Sequence, residues 1–243
     1  MKKKVLLIIP AYNEEESILK TIEKVESFQY DSHNIDVNYI VINDGSTDNT
    51  GDILEEHSKN VIHLITNLGI GGAVQTGYKY ALQNNYDVAV QFDGDGQHDI
   101  NSLPVLISPI INNVANFTVG SRFVPGQKSG FQSTGLRRLG INIISKLIKI
   151  IGKETVYDTT SGFRAADREV IKFFSRNYPV KYPEPESLVT LLRNGFQIRE
   201  VPVNMFERVG GESSITTAKS IRYMLEVCSA IILLAFKNNE GEL

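Results

Sequence analysis

Apolar runs and polar breaks alternate along the first hundred residues with a regular strand-then-helix rhythm. Val5–Ile9 is a continuous β-prone run, the pattern of a strand covered on both faces. Pro10 ends it. Asn13 then predicts a helix cap, with Glu14, Glu15 and Glu16 in the first turn and a helix to about Phe28 that aligns Ile18, Ile22 and Val25. Val37–Ile42 predicts a second strand, closing in Asn43–Thr50, a segment dense in turn and cap formers. A short helix from Thr50 to His57, a third strand at Val61–Ile65 and a helix ending near Asn84 follow. The fourth strand, Asp87–Val90, opens onto Asp93. This repetition predicts an α/β fold: a mostly parallel sheet flanked by helices, its loops gathered along one edge.

The second half has a different texture. Ala115–Gly120 predicts a strand, and Val124–Thr134 a loop rich in Gly, Ser, Gln and Pro. A helix is expected from Arg137 to about Ile151, another near Arg168–Phe174, a third over Ser187–Asn194, and a strand near Ile198–Val203. Between them lie Asp158–Arg164 and Tyr182-Pro-Glu-Pro-Glu186, where the prolines predict a rigid connection. The last helix, Thr217–Phe236, turns apolar from Met224, with Lys219, Arg222 and Lys237 around it. It fits a core helix, a helix lying on a membrane surface, or one docking on a partner.

Composition narrows the classes. A chain of 243 residues with 42% hydrophobic and 22% charged residues is ordinary for a globular protein. The net charge of −3, with no basic patch, argues against nucleic acid as a partner. The single Cys228 excludes a disulfide within the chain and suits a reducing, cytoplasmic setting. No apolar stretch reaches the roughly 20 residues of a membrane span.

The candidate chemistry centres on Asp93-Gly-Asp95-Gly-Gln97-His98. Two carboxylates and an amide oxygen at the end of a strand suit a hard divalent cation, Mg²⁺ or Mn²⁺, with Asp95 and Gln97 as ligands. An EF-hand loop is excluded, because the residue that should be its twelfth, a Glu, is Pro104. Gly69-x-Gly71-Gly72 reads equally as a phosphate loop or as glycines for close helix packing.

Five blocks occur in order: Pro10-x-Tyr12-Asn13-Glu14, Asn43–Asp48, Asn67-x-Gly69, Asp93-x-Asp95-x-Gln97-His98 and Ser161–Arg164. Together they resemble glycosyltransferase family 2 with the GT-A, Rossmann-like fold, and within it the dolichol-phosphate-mannose synthase-like branch, over about residues 4–215. The resemblance implies inverting transfer from a nucleotide sugar, probed first as a UDP-sugar, to a polyprenyl (undecaprenyl-type) phosphate. It implies a donor pocket with Pro10, Tyr12, Glu14, Asp44 and Gly69, and Asp93 at the ribose or metal. It places Arg122 with Arg137 or Arg138 on phosphates, and Arg208 with Ser214 on a segment closing over the site. Asp158, Glu184 and Glu186 are the base candidates for a hydroxyl acceptor. A phosphate acceptor needs no strong base, being largely ionised at pH 7 with a second pKa of about 6. A catalytically silent nucleotide-sugar-binding adaptor is the alternative from another class. The expected division is a catalytic domain over 1–215 and an apolar helical segment over 216–243. The chain departs from relatives that carry two or more C-terminal transmembrane helices, and the single apolar helix here predicts peripheral attachment at the inner membrane face, recruitment by a small membrane protein, or contact with a second copy of the chain.

Overall fold

The computed structural model describes residues 2–30, 34–124, 135–206 and 217–236. Its frame is a seven-stranded sheet in the order β3-β2-β1-β4-β6-β5-β7. The strands are β1 (Lys3–Ala11), β2 (Ile35–Asn43), β3 (Val61–His63), β4 (Val88–Gln91), β5 (Phe117–Ser121), β6 (Arg164–Asp167) and β7 (Ile198–Pro202). β1 pairs in parallel with β2 and β4, as the unbroken apolar run requires. The pleat sends Leu6 and Ile8 into one core and Val5, Leu7 and Ile9 into the other. β6 runs antiparallel to both its neighbours, β4 and β5.

Helices cover both faces: α1 (Ile18–Ser27), α2 (Thr50–Glu56), α3 (Gly69–Gln83), α4 (Leu103–Ile111), α5 (Gly135–Gly152), α6 (Arg168–Asn177), α7 (Pro183–Arg193) and α8 (Thr217–Phe236). Ile18, Ile22 and Val25 of α1 pack with Leu103, Leu106 and Ile107 of α4 on one face. α3, α5, α6, α7 and α8 cover the other, where Val227 and Ile231 of α8 are fully buried. α3 lies so close to β1 that a Cβ on Gly77 would sit 2.2 Å from Ile8 Cγ2.

Several elements depart from expectation. β1 does not end at Pro10 but pairs on to Ala11, because the register with β2 continues past the proline. α4 lies where the sequence reading placed no element. α1 starts at Ile18 rather than at Asn13, which adopts φ 55°. The polar groups of 13–15 bond across to the next loop instead: Asn13 Oδ1 accepts from Thr47 N–H (2.8 Å), and Thr50 Oγ1 accepts from Glu14 N–H (2.9 Å). Such side-chain to backbone bonds compete with helix formation. α7 begins at Pro183, so Glu184 and Glu186 occupy a helical first turn, not a rigid connection. Proline is tolerated there and acids favour that end of the dipole. β6 is a strand that the composition Arg-Ala-Ala-Asp does not announce.

Candidate functional site

The site is built at the carboxyl edge of β1, β2 and β4. Beyond β1, Ser17 Oγ lies 2.7 Å from the Glu14 carboxylate and 3.1 Å from the carbonyl of Gly94, and Thr21 Oγ1 donates to that same carbonyl (3.0 Å). The loop after β1 is thereby fastened to the acidic turn after β4. Asp44 at the end of β2 is buried, and its carboxylate accepts from Leu68 N–H at 2.8 Å. Burial pushes its pKa up against the opposing N–H groups of Leu68 and Gly69. Pro10, Glu14, Asp44 and Gly69 thus share one edge, with the Tyr12 ring exposed beside them. Gly69 has φ 76° with open space around its Cα. A Cβ on Gly71 would strike Pro179 O at 2.5 Å, so at that position the close-packing reading holds.

Asp93 is held on several sides. Gln91 Nε2 donates to its Oδ1 (3.2 Å), and Tyr178 Oη donates to Gln91 Oε1 (3.3 Å). His98 Nδ1 accepts from Asp93 N–H (3.1 Å), which leaves the proton on Nε2, 3.4 Å from Asp93 Oδ2. The His98 ring stacks on Phe163 (4.8 Å, 19°) and meets the edge of Phe92. A Cβ on Gly162 would fall 2.5 Å from Asp93 Oδ2, so only glycine leaves that carboxylate its place. Asp95 accepts from Gln97 N–H (3.0 Å) and opens onto a cavity of 490 Å³ that Ser17, Lys20, Thr21 and Lys24 also line.

The other wall comes from β5 to α7. Arg122 is buried, with Nε and Nη2 each donating to Asp158 at 2.8 Å. Burial pushes Asp158 up, and the Arg122 guanidinium more than reverses that, holding its pKa below the usual carboxylate value. Glu200 of β7 fixes the pair from behind, accepting from Tyr157 N–H (2.7 Å) and Asp158 N–H (2.8 Å). The Arg138 guanidinium lies 3.7 Å from the centre of the Phe123 ring, and that of Arg122 5.1 Å from it. Arg164 is buried and donates to the carbonyls of Ser161 (2.6 Å) and Glu184 (2.7 Å) and to Ser187 Oγ (2.7 Å). It clamps the 159–164 loop onto the first turn of α7. Glu184 keeps partial solvent access within electrostatic reach of Arg164 and Asp93. Burial raises its pKa, Arg164 opposes the rise and Asp93 adds to it. Glu186 is also raised by burial.

The geometry therefore gathers Asp93, Asp95, Gln97 and Glu184 at one end of the sheet, with Arg122 and Asp158 forming a buried pair. Arg208 and Ser214 lie outside the described residues, and the side chain of Arg137 is likewise not described. Gln91, His98, Arg164 and Glu200 are supporting residues that the sequence reading left without roles. A polar Gln closing the apolar run Val88-Ala-Val90 was the available signal for one of them.

Among the described residues no cluster of three His, Cys, Asp or Glu could cage a metal ion. Asp93, Asp95 and the Gln97 amide are three oxygen donors on one turn, and Asp95 lines the cavity. That fits a hard divalent ion whose remaining positions go to substrate oxygens and water. His98 is directed at Asp93 and is not a member of the set.

The profile of Glycosyl transferase family 2 matches residues 6–174. The chain belongs to that family. This glycosyltransferase is 34% identical to UDP-N-acetylglucosamine–dolichyl-phosphate N-acetylglucosaminyltransferase of Methanococcus voltae, over 83% of this chain and 85% of the relative. It is 32% identical to undecaprenyl-phosphate mannosyltransferase of Micrococcus luteus, over 88% of each. The fold is that of glucosyl-3-phosphoglycerate synthase from Mycobacterium tuberculosis: its form with Mg²⁺ and UDP matches with TM-score 0.71 at 19% identity, covering 98% of this chain and 82% of that one. Its form with Mn²⁺, UDP-glucose and phosphoglyceric acid matches with TM-score 0.68 at 18% identity, over the same shares of the two chains. No helix among the described residues of the glycosyltransferase is long and apolar enough to cross a membrane.

Proposed function

We propose that this glycosyltransferase moves a sugar, with inversion, from a nucleoside-diphosphate sugar, UDP-linked in the first instance, to a polyprenyl phosphate. The observation that carries the reading is that the two relatives described above, at 34% and 32% identity and matched over more than four-fifths of their length, are named for lipid-phosphate acceptors. Pro10, Tyr12, Glu14, Asp44 and Gly69 receive the nucleoside. Asp95 and Gln97, with Asp93, hold Mg²⁺ or Mn²⁺. The ion, when bound, neutralises charge on the departing diphosphate. Arg122 and Arg138, with Arg137, Arg208 and Ser214, meet phosphate oxygens, guanidinium being the group best shaped for them. The acceptor oxygen is already ionised, so Arg122 needs position rather than a base beside it, and Asp158 and Glu200 supply that. Glu184 orients the sugar through its hydroxyls.

The acceptor places the reaction at a membrane surface, on the cytoplasmic face in our reading. α8 leaves Leu225, Ile232, Leu233 and Phe236 exposed, with Arg222 at the same face, and α5 leaves Leu139, Ile143 and Ile150 exposed. These rows suit peripheral attachment to anionic lipid, or contact with a small membrane protein or a second copy of the chain.

A second reading, transfer to a hydroxyl of a lipid-linked glycan, is favoured by the raised pKa of Glu184, the property of a general base. A third is a silent nucleotide-sugar adaptor. The test is a donor screen with Mn²⁺, with and without polyprenyl phosphate, following nucleoside diphosphate release. Release that needs the lipid, and vanishes in Asp95→Ala, upholds the first reading. Release with only a glycan acceptor upholds the second, and no release with any donor upholds the third.

A further inference from the structure

α8 does more than cover the core. It bridges α7 at two levels. At the amino end, Tyr182 Oη donates to Glu226 Oε2, and the Tyr182 ring meets Tyr223 edge-on at 5.3 Å. One turn earlier, Arg222 Nε donates to the other oxygen of Glu226, Oε1, at 2.9 Å, while Lys181 Nζ lies 3.7 Å from Oε2. At the far end, an Arg193 guanidinium N–H donates to the carbonyl of Leu234. Between these bridges, Val227 and Ile231 fill the core beneath.

The position of the first bridge gives it consequence. Tyr182 is the residue that caps α7, immediately before Pro183 and Glu184. Its ring is buried, so the hydroxyl has little freedom to find another partner. Arg164 grips the same turn from the opposite side through the Glu184 carbonyl and Ser187 Oγ. The turn that carries Glu184 is therefore held between a buried guanidinium belonging to the sheet and a carboxylate belonging to α8. Glu226 itself lies at the border of α8, between the buried Val227 side and the exposed apolar row of Leu225, Ile232 and Leu233. Lys181, Arg222 and Tyr182 are the charged and titratable groups facing it.

We propose that Tyr182 and Glu226 are positioning residues for the transfer reaction: through them α8 sets the first turn of α7, and with it Glu184, while the other face of α8 rests on the lipid surface that presents the acceptor. The proposal rests on the reading of Glu184 as a group at the sugar and of α8 as the surface helix. It assigns α8 a part in the reaction itself, beyond attachment. Neither Tyr182 nor Glu226 touches substrate; each acts through the backbone of 183–184.

The test uses the full chain with Glu226→Gln, Tyr182→Phe and the double variant. Lipid-dependent transfer is measured in vesicles holding polyprenyl phosphate. UDP affinity is measured with Mn²⁺, and amide exchange over 183–190. We expect kcat to fall about 10-fold in each single variant, with UDP affinity and the donor KM unchanged and the double variant no worse than either single one, since contacting partners are non-additive. Exchange over 183–190 should quicken while 227–231 stays protected. The proposal is overturned by unchanged kcat, by losses that multiply in the double variant, or by a fall in UDP affinity and thermal stability that parallels kcat, the mark of general damage. If the wild-type protein shows no lipid-dependent transfer, the reading of function fails by itself. The pair is then judged by exchange alone, which upholds the coupling of α8 to α7 if it quickens and overturns it if it does not.

Discussion

Glu184 keeps a carboxylate where burial disfavours its charge. Its folded pKa lies above the ordinary 4.5, so the protonated form is the one the fold prefers. Stability from this group is complete below the ordinary value and is lost as pH rises through the folded one. Glu184→Gln removes the ionised form without removing bulk. The variant should melt higher than the wild type at pH 7, and the gap should close below about pH 4.5. Thermal melts at the two pH values check this. Transfer should fall by about 100-fold or more if the acceptor is a hydroxyl, the usual scale for loss of a general base. It should fall much less if the acceptor is a phosphate. The Asp158 carboxyl has the opposite sign. Held low by Arg122, it stabilises the fold above the ordinary 3.8 and gives that up as pH falls through its folded value. A carboxylate so committed is a poor proton acceptor, which leaves Glu184 the stronger base candidate of the two.

At the scale of elements, the residues that speak plainly in sequence are the local ones. Val5–Ile9 and Val88–Val90 declare strands because burial on both faces demands unbroken apolar residues. The acidic turn after β4 was legible because its chemistry lies within six consecutive residues, Asp93 to His98. β6 and the start of α7 were not. Arg-Ala-Ala-Asp has no branched or aromatic side chain, and it becomes a strand only because β4 and β5 leave a gap that it fills. Tyr182-Pro-Glu-Pro reads as a break, yet proline lacks only an N–H that a first helical turn does not use. The chain Glu200–Asp158–Arg122 joins three separate segments, and no spacing rule connects them. Helix α3 offers a direct test of close packing. Gly77→Ala forces a methyl within 2.2 Å of Ile8 Cγ2 and should cost roughly 1–3 kcal/mol by overpacking. Urea denaturation would read this as a lower midpoint with an unchanged slope.

At the scale of the whole molecule, the proposed reaction brings its substrates from different places: a soluble donor over the carboxyl edge of the sheet, and an acceptor from a lipid phase. The exposed Leu233 (71%) and Phe236 (81%) are the side chains best placed to meet that phase. Leu233→Glu with Phe236→Glu should abolish flotation with anionic vesicles while moving the melting temperature little, because exposed substitutions usually change stability by less than about 0.5 kcal/mol. Unchanged flotation would remove α8 from the attachment surface.

The antiparallel β6 carries one more consequence, in time rather than space. β1 to β4 come from the first 91 residues; β1–β2 and β2–β3 join neighbouring βα units, while β1–β4 already closes a long loop, from Val5 to Val88. β6 adds a second long closure on top of that one, reaching β4 from 73 positions further on, the distance from Gln91 to Arg164. Pairings that close such long loops are slow to form. Yet Gly162 and Phe163, which seat Asp93 and His98, arrive only with β6. The early half of the molecule can therefore gain its secondary structure before it gains a usable acidic turn. In a refolding experiment, far-ultraviolet signal should recover first and nucleotide binding last, so that the appearance of binding serves as a clock for the closing of the sheet.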